Sequence, residues 1–296
     1  MPANVLSFDV ECWFHAHNLR EAIRADRWDE LPHRLGHPLG RILATLRRHD
    51  VKATFFVLGW VAERRPELVA AILADGHEVG THGYSHSTVS ELGPAGFERD
   101  LRRSLAVLRQ AGADGICSHR ASNFSISADC GWALESLAAQ GIACDSSIYP
   151  VDRRRYGIAG YAVPTIHRLQ LANGASIVEA PLSTRSVLGR QLPFGGGGYL
   201  RLYPLWLTQR LIREQNARGL PAIVYLHPWE LDPGQPAVST SHRLRFQHRV
   251  NLHTTSGRLS ALLRSFPFTT LADAVRTSAA LPTMDFETAA GTSRAA

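Results

Sequence analysis

The sequence predicts an α/β fold, a parallel sheet with helices packed outside it. Three observations carry that prediction. Short apolar runs alternate with stretches of helical periodicity through the first half of the chain. The runs are continuously apolar, as in strands covered on both faces. Polar groups recur where those runs end, at Asp9, His82, Arg120 and Asp145, which is where α/β barrels place their chemistry.

The elements follow in order. Val5-Leu6-Ser7-Phe8-Asp9 reads as a buried strand ending in an acid. Val10 and Glu11 come next. Alternation along an extended chain puts Asp9 and Glu11 on one side. Two carboxylates on one face are costly unless a cation or an Arg lies near. Residues 39–48 have helical periodicity, and residues 51–58 form a second strand. Pro66 belongs in the first turn of a helix that Asp75-Gly76 stops. The strand over residues 77–82 then runs into a turn carrying His82, Gly83 and His86. Two imidazoles four residues apart can reach one metal ion. In a chain with 14 His such a pair is a weak signal taken alone.

Residues 96–110 form an amphipathic helix with Phe97, Leu101, Leu105 and Leu108 on one stripe. Residues 116–120 read as a strand ending in Arg120. Ser127 caps a helix that Gly141 ends, and residues 142–147 are a short strand with Asp145 near its end. From 151 to 221 the pattern loosens. Gly195-Gly196-Gly197-Gly198 is a flexible or closely approached stretch of backbone. It lacks a following Lys-Ser/Thr and is no phosphate loop. It leads to a helix over residues 206–218. Residues 222–230 are a strongly apolar strand carrying His227. Residues 259–266 read as a last helix and residues 268–271 as a closing strand. Residues 279–296 are expected to be disordered.

Composition narrows the function. The chain has 296 residues, 45% of them hydrophobic, enough for a large core. No apolar run is long enough to span a bilayer. The opening Met1-Pro2-Ala3-Asn4 leaves no room for a signal peptide, so a cytoplasmic location is expected. Cys12, Cys117, Cys130 and Cys144 lack a C-x-x-C spacing and are expected to be reduced thiols. The net charge of +6 comes from scattered Arg clusters, Arg153-Arg154-Arg155 among them. No nucleic-acid motif accompanies them, so no nucleic-acid partner is expected. Contact with anionic lipid headgroups or an anionic glycan stays open. The oligomeric state is not legible.

Ser7-Phe8-Asp9, Thr54-Phe55-Phe56, the Gly76 to His86 segment, Arg120 and Leu226-His227-Pro228 together resemble the polysaccharide deacetylase family, the NodB-type homology domain of carbohydrate esterase family 4. The likeness runs from about residue 4 to 230. Asp145-Ser146-Ser147, Tyr156-Gly157, Gly195 to Tyr199 and His227-Pro228-Trp229-Glu230 resemble a bacterial subgroup associated with exopolysaccharide biosynthesis, extending the likeness to about Leu271.

The resemblance implies a distorted (β/α) barrel with seven strands, one domain over residues 1–278, and hydrolysis of N-acetyl groups on a polysaccharide. It implies an acetylated polysaccharide or lipid-linked oligosaccharide as partner and a divalent metal, Zn²⁺ by preference. Carried over by motif, Asp9 is the general base, His82 and His86 are metal ligands, Arg120 pairs with Asp9, and Asp145 tunes His227, the general acid. The family pattern has two adjacent acids, whereas Val10 fills the second place here. Glu11 is then the substitute ligand. Ala121-Ser122-Asn123 replaces the usual Pro-containing loop after the Arg, with the Asn123 N–H as the oxyanion donor. Two other functions stay open: a metal-independent amidohydrolase acting on a small molecule, and a non-catalytic glycan-binding protein.

Overall fold

The computed structural model describes residues 1–153, 156–278 and 280–292. Arg154 and Arg155 of the triple-Arg cluster, with Ala279 and residues 293–296 of the expected tail, lie outside that description.

The strands are β1 (Asn4–Val10), β2 (Thr54–Val57), β3 (Glu78–Thr81), β4 (Ser118–His119), β5 (Cys144–Asp145), β6 (His167–Gln170), β7 (Ser176–Glu179), β8 (Thr184–Val187), β9 (Arg190–Pro193), β10 (Ile223–Leu226), β11 (Phe268–Thr269) and β12 (Thr283–Asp285). Ten of them form one sheet, ordered β10-β1-β2-β3-β4-β5-β7-β6-β12 with β11 also on β1, while β8 and β9 pair apart. From β10 to β7, seven consecutive neighbours run parallel. β6 is antiparallel to β7. Because the seven strands share one direction, their C-terminal ends gather on one side.

Alternation along β1 divides its side chains. Leu6, Phe8 and Val10 join the large cluster that the helices cover. Val5 belongs to a second cluster with Phe56, Tyr149, Ile223 and Tyr225 on the other face. Ser7 and Asp9 share that second face by the period of two.

The helices are α1 (Gly36–Arg48), α2 (Gly59–Arg64), α3 (Pro66–Ala74), α4 (Val89–Gln110), α5 (Gly131–Ala139), α6 (Gly198–Leu202), α7 (Leu205–Ala217), α8 (His242–Arg249), α9 (Thr255–Ser265), α10 (Leu271–Thr277) and α11 (Phe286–Ala289). α4 starts seven residues before the apolar stripe predicts. Thr88 and Glu91 form a reciprocal capping box that opens an extra turn, and Gly93 at φ +61° with Pro94 kinks it away from the rest. Ser127 makes no cap bond to α5; its hydroxyl donates to Cys130 Sγ, and a 3-10 turn precedes the helix. The closing strand stops at Thr269, because Thr270 accepts from Asp273 N–H and caps α10.

The glycine run is closely approached backbone. Gly195 C=O accepts from Tyr225 N–H at 2.7 Å, and Gly197 N–H donates to Tyr225 C=O at 3.1 Å. A Cβ on Gly196, whose φ is +144°, would lie 1.8 Å from that carbonyl oxygen. The run thus occupies the edge of β10 that β1 does not.

The expectation of disorder after residue 278 is corrected for residues 280–292. β12 pairs parallel with β6, and Phe286 and Ala289 are buried in the main cluster. Met284 and Phe286 supply apolar contacts that the Ala- and Thr-rich composition hides. The four Cys are free thiols, three of them buried.

Behind the strand ends lies a buried acid pair. Asp145 and Glu179 are register partners on β5 and β7, both fully buried. Glu179 accepts from Ile148 N–H, while its Oε2 has no donor. Burial first, and the Asp145 charge second, push the Glu179 carboxyl well above its ordinary range. The raised pKa favours the protonated acid. A carboxyl whose folded pKa is raised costs stability once pH rises above the unfolded pKa. The contribution of Glu179 to folding stability is accordingly expected to fall as pH climbs from the ordinary carboxyl range toward neutrality. Glu179→Gln keeps one acceptor and one donor without a titrating proton. It is expected to flatten that dependence and to raise Tm at neutral pH by roughly 2–4 °C per kcal/mol recovered. Thermal melts of both proteins across pH check this; an unchanged slope in the variant would discard the protonated Glu179.

Candidate active site

The C-terminal strand ends converge on a cavity of about 310 Å³ lined by Asp9, Glu11, His82, His86, Asn123 and His227, among others. Larger clefts, of about 660, 770 and 330 Å³, are lined by no such cluster of imidazoles and carboxylates.

Arg120 follows β4 and is fully buried. Its guanidinium donates four hydrogen bonds to fixed acceptors. Nη1 donates to Asp9 Oδ1 at 2.8 Å and to Ser7 Oγ at 2.7 Å, Nε to Ser146 C=O at 2.9 Å and Nη2 to Ser146 Oγ at 2.8 Å. Its guanidinium lies 4.3 Å from the Phe56 ring centroid. Asp9 is thereby held by one oxygen. Its Oδ2 faces the cavity, 3.9 Å from His227 Nε2.

His82 leaves β3 and donates from Nδ1 to Arg120 C=O at 2.8 Å. A carbonyl only accepts, so Nδ1 carries the proton and Nε2 presents its lone pair to the cavity. Burial pulls the ring's pKa down to about 4, keeping it neutral. His86 sits at φ +57° after Gly83, in a loop fixed by Asp100 of α4, which accepts from Tyr84 N–H at 2.7 Å and Ser85 N–H at 3.0 Å. Its Nε2 lies against Glu11 Oε2.

Glu11 is buried and accepts from Trp229 Nε1–H through Oε1 at 3.0 Å, while Oε2 has no hydrogen-bond partner. Burial alone would raise its carboxyl; His86, His227 and His82 hold it below the usual range instead. One atom each of Glu11, His82 and His86 lie within 4.8 Å of one another. A neutral imidazole lone pair, a second imidazole and the carboxylate oxygen beside it make a donor set that fits a divalent cation. Cys12 is no thiolate competitor. Burial, helped by the Glu11 charge, pushes its thiol up to about 12.

His227 follows β10. Its partner is not Asp145, which is a correction to the motif carry-over. Asp145 Oδ1 pairs with His119 Nδ1 and Ser147 Oγ, both at 2.7 Å, away from the cavity. His227 Nδ1 donates instead to Glu230 Oε1 at 2.9 Å, and the same oxygen accepts from the His227 backbone N–H at 3.0 Å. Glu230 Oε2 accepts from Arg201 Nε at 2.6 Å, and Arg201 donates on to the carbonyls of His248 and Val250. Burial would raise Glu230, but Arg201 and His227 hold it near 2. Burial would also lower His227, but the bond to Glu230, with the charges of Glu11, Glu230 and Asp9, lifts it to about 9. A cation on Glu11 would offset that residue's share.

Asn123 lines the cavity at φ +58° in a 3-10 turn with Phe124 at φ +53°. Tyr149, Tyr225 and Trp229 add an aromatic wall. Sequence reasoning missed Glu230 and Arg201. The i, i+3 spacing from His227 was the available signal for the first. Arg201 has none, since its partner lies 29 residues away.

Removing Arg120 leaves Asp9 as an unpaired buried charge. Arg120→Leu is expected to cost about 3–5 kcal/mol. A urea titration reads this as a lower midpoint with unchanged slope; a midpoint unmoved from wild type would contradict it.

Residues 28–142 match the polysaccharide deacetylase family, and residues 146–276 match a domain of unknown function (DUF3473). Chitooligosaccharide deacetylase of Sinorhizobium fredii is 34% identical over 118 residues, covering 40% of this chain and 54% of that protein. The protein of the same name from a Bradyrhizobium species is 30% identical over 121 residues, covering 40% and 53%. The chain spans about half the length of the curated relatives it matches. A crystal structure of a polysaccharide-deacetylase-type protein from Mycobacterium smegmatis shares the fold, with a TM-score of 0.55 at 19% identity over 98% of this chain and 93% of that one. Over residues 28–142 the chain is thus similar to the polysaccharide deacetylase family, and its fold is shared with the Mycobacterium smegmatis structure.

Proposed function

We propose that the chain is a metal-dependent hydrolase that removes N-acetyl groups from a polysaccharide or its lipid-linked precursor, in exopolysaccharide biosynthesis. The observation that carries this reading is the buried cluster of Glu11, His82 and His86 beside an Arg-held Asp9 and a protonated His227.

Glu11, His82 and His86 are the residues to hold the cation, Zn²⁺ by preference. When bound, it supplies Lewis acidity toward the amide carbonyl and the attacking water. Asp9 takes the proton of that water, because Arg120 fixes its Oδ1 and leaves Oδ2 toward the cavity. The backbone N–H of Asn123 is the donor proposed for the developing oxyanion. His227 gives its proton to the departing amine, which is a poor leaving group unless protonated. Glu230 keeps the imidazole charged and aims its Nε2 inward by bonding Nδ1. The aromatic wall offers faces on which sugar rings can pack.

The reading is tested by acetate release from N-acetylated chitooligosaccharide, measured on metal-free protein titrated with Zn²⁺. One ion per chain is expected to restore activity. Glu11→Gln should weaken the metal by tenfold or more, with activity partly recovered in excess metal. Full-affinity binding in that variant would remove Glu11 from the ligand set, and release at full rate without metal would sink the metal-dependent reading.

Glu230→Gln withdraws the charge that lifts His227. A general acid works only below its pKa, so the basic limb of kcat/KM should move to lower pH by a unit or more. A basic limb that stays in place would detach Glu230 from the acid.

A further inference from the structure

Between Glu179 and Glu214 the sequence contains no acidic residue, yet it contains five Arg. This stretch also carries four of the six large apolar side chains that are exposed among the described residues: Val187 at 47%, Leu188 at 99%, Leu202 at 46% and Trp206 at 63%.

The first two form the tip of the β8–β9 hairpin, which stands off the main sheet. Leu188 and Gly189 have φ of +49° and +74°, the signature of a type I′ turn. Asn-Gly is the usual choice there, and a leucine in the left-handed region is strained. An exposed leucine at a strained position gains nothing for the fold in water. The other two flank the corner between α6 and α7, where Leu202-Tyr203-Pro204-Leu205-Trp206-Leu207 is at least partly exposed throughout. Hairpin and corner are one surface. Val187, Arg190 and Leu192 line the same cleft as Tyr203, and Arg185 lies 3.6 Å from Glu214 of α7.

We propose that this surface docks on a bilayer bearing anionic lipid headgroups. Leucine and valine at a turn tip insert shallowly, and Trp and Tyr favour the headgroup level. Arg190, with Arg153 on the same cleft, supplies the second attraction that reversible membrane binding needs, since Arg201 is buried against Glu230 and Arg185 and Arg210 pair with Glu214. A second copy of the chain is the weaker occupant, because it would set Arg against Arg. Charge complementarity favours an anionic partner for a chain of net charge +6. The docking surface continues through α6 to Arg201, which lines the catalytic cavity, so docking brings that cavity to the lipid headgroups. This inference does not depend on the deacetylase reading.

The test is cosedimentation of the full chain with phosphatidylcholine vesicles, with and without phosphatidylglycerol. Binding is expected only with the anionic lipid, weakened by salt and accompanied by a blue shift of tryptophan emission. Leu188→Ser with Trp206→Ser, and separately Arg190→Glu, should each weaken binding by roughly tenfold or more. Their circular dichroism and Tm should match wild type. Failure of the wild type to sediment at low salt, or undiminished binding by the double variant, would overturn the proposal. So would concentration-dependent dimerisation that the double variant abolishes, since that assigns the surface to a second copy.

Discussion

The guanidinium of Arg120 is charged and has no contact with water. A buried cation persists only if every donor is met and its charge is balanced. Here β1 supplies Ser7 and Asp9, and the segment after β5 supplies Ser146, so two distant parts of the chain are tied to one side chain. The requirement runs outward from there. Asp9 is placed because Arg120 needs it. His82 is oriented because the Arg120 carbonyl takes its Nδ1 proton. The pair stands between the strand core and the cavity, and each face of the cavity refers back to it.

Around this pair the protonation states diverge under one low-dielectric roof. His82 is neutral because burial dominates, whereas His227 is charged because Glu230 outweighs burial. Both rings sit at strand ends on the same cavity, so exposure does not explain the difference. The second carboxylate does. Arg201 and His227 keep Glu230 ionised, and Glu230 keeps His227 protonated. Deeper in the sheet, burial and the neighbouring Asp145 push the Glu179 carboxyl well above its ordinary range.

The second half of the chain completes the site rather than adding a separate one. The glycine run lies on the outer edge of β10, and α6, which follows it, brings Arg201 to Glu230. A side chain at Gly196 would collide with the Tyr225 carbonyl. The edge hydrogen bonds of β10 and the position of Arg201 therefore rest on the same four residues.

The sequence by itself determined the order of strands and helices in the first half of the chain and the common end at which polar groups gather. Those features follow from local periodicity, since alternation and chain direction are properties of neighbouring residues. Glu11 reaches the cavity through a turn at Val10, where its N–H donates to Asp9 C=O. His82, His86 and His227 were candidates because each lies at or just after a strand end, whereas Asn123 was named only through the family resemblance. The tertiary structure alone decided who pairs with whom. Asp145 and Glu230 are both acids near strand ends, and nothing local says which reaches His227. The turn after β10 folds Glu230 back onto the ring, while His119 on the neighbouring strand takes Asp145. Arg201 and the docking of residues 283–289 were equally out of reach. Their partners lie far along the chain, and burial of a charge or of Phe286 is settled only when distant segments close over it.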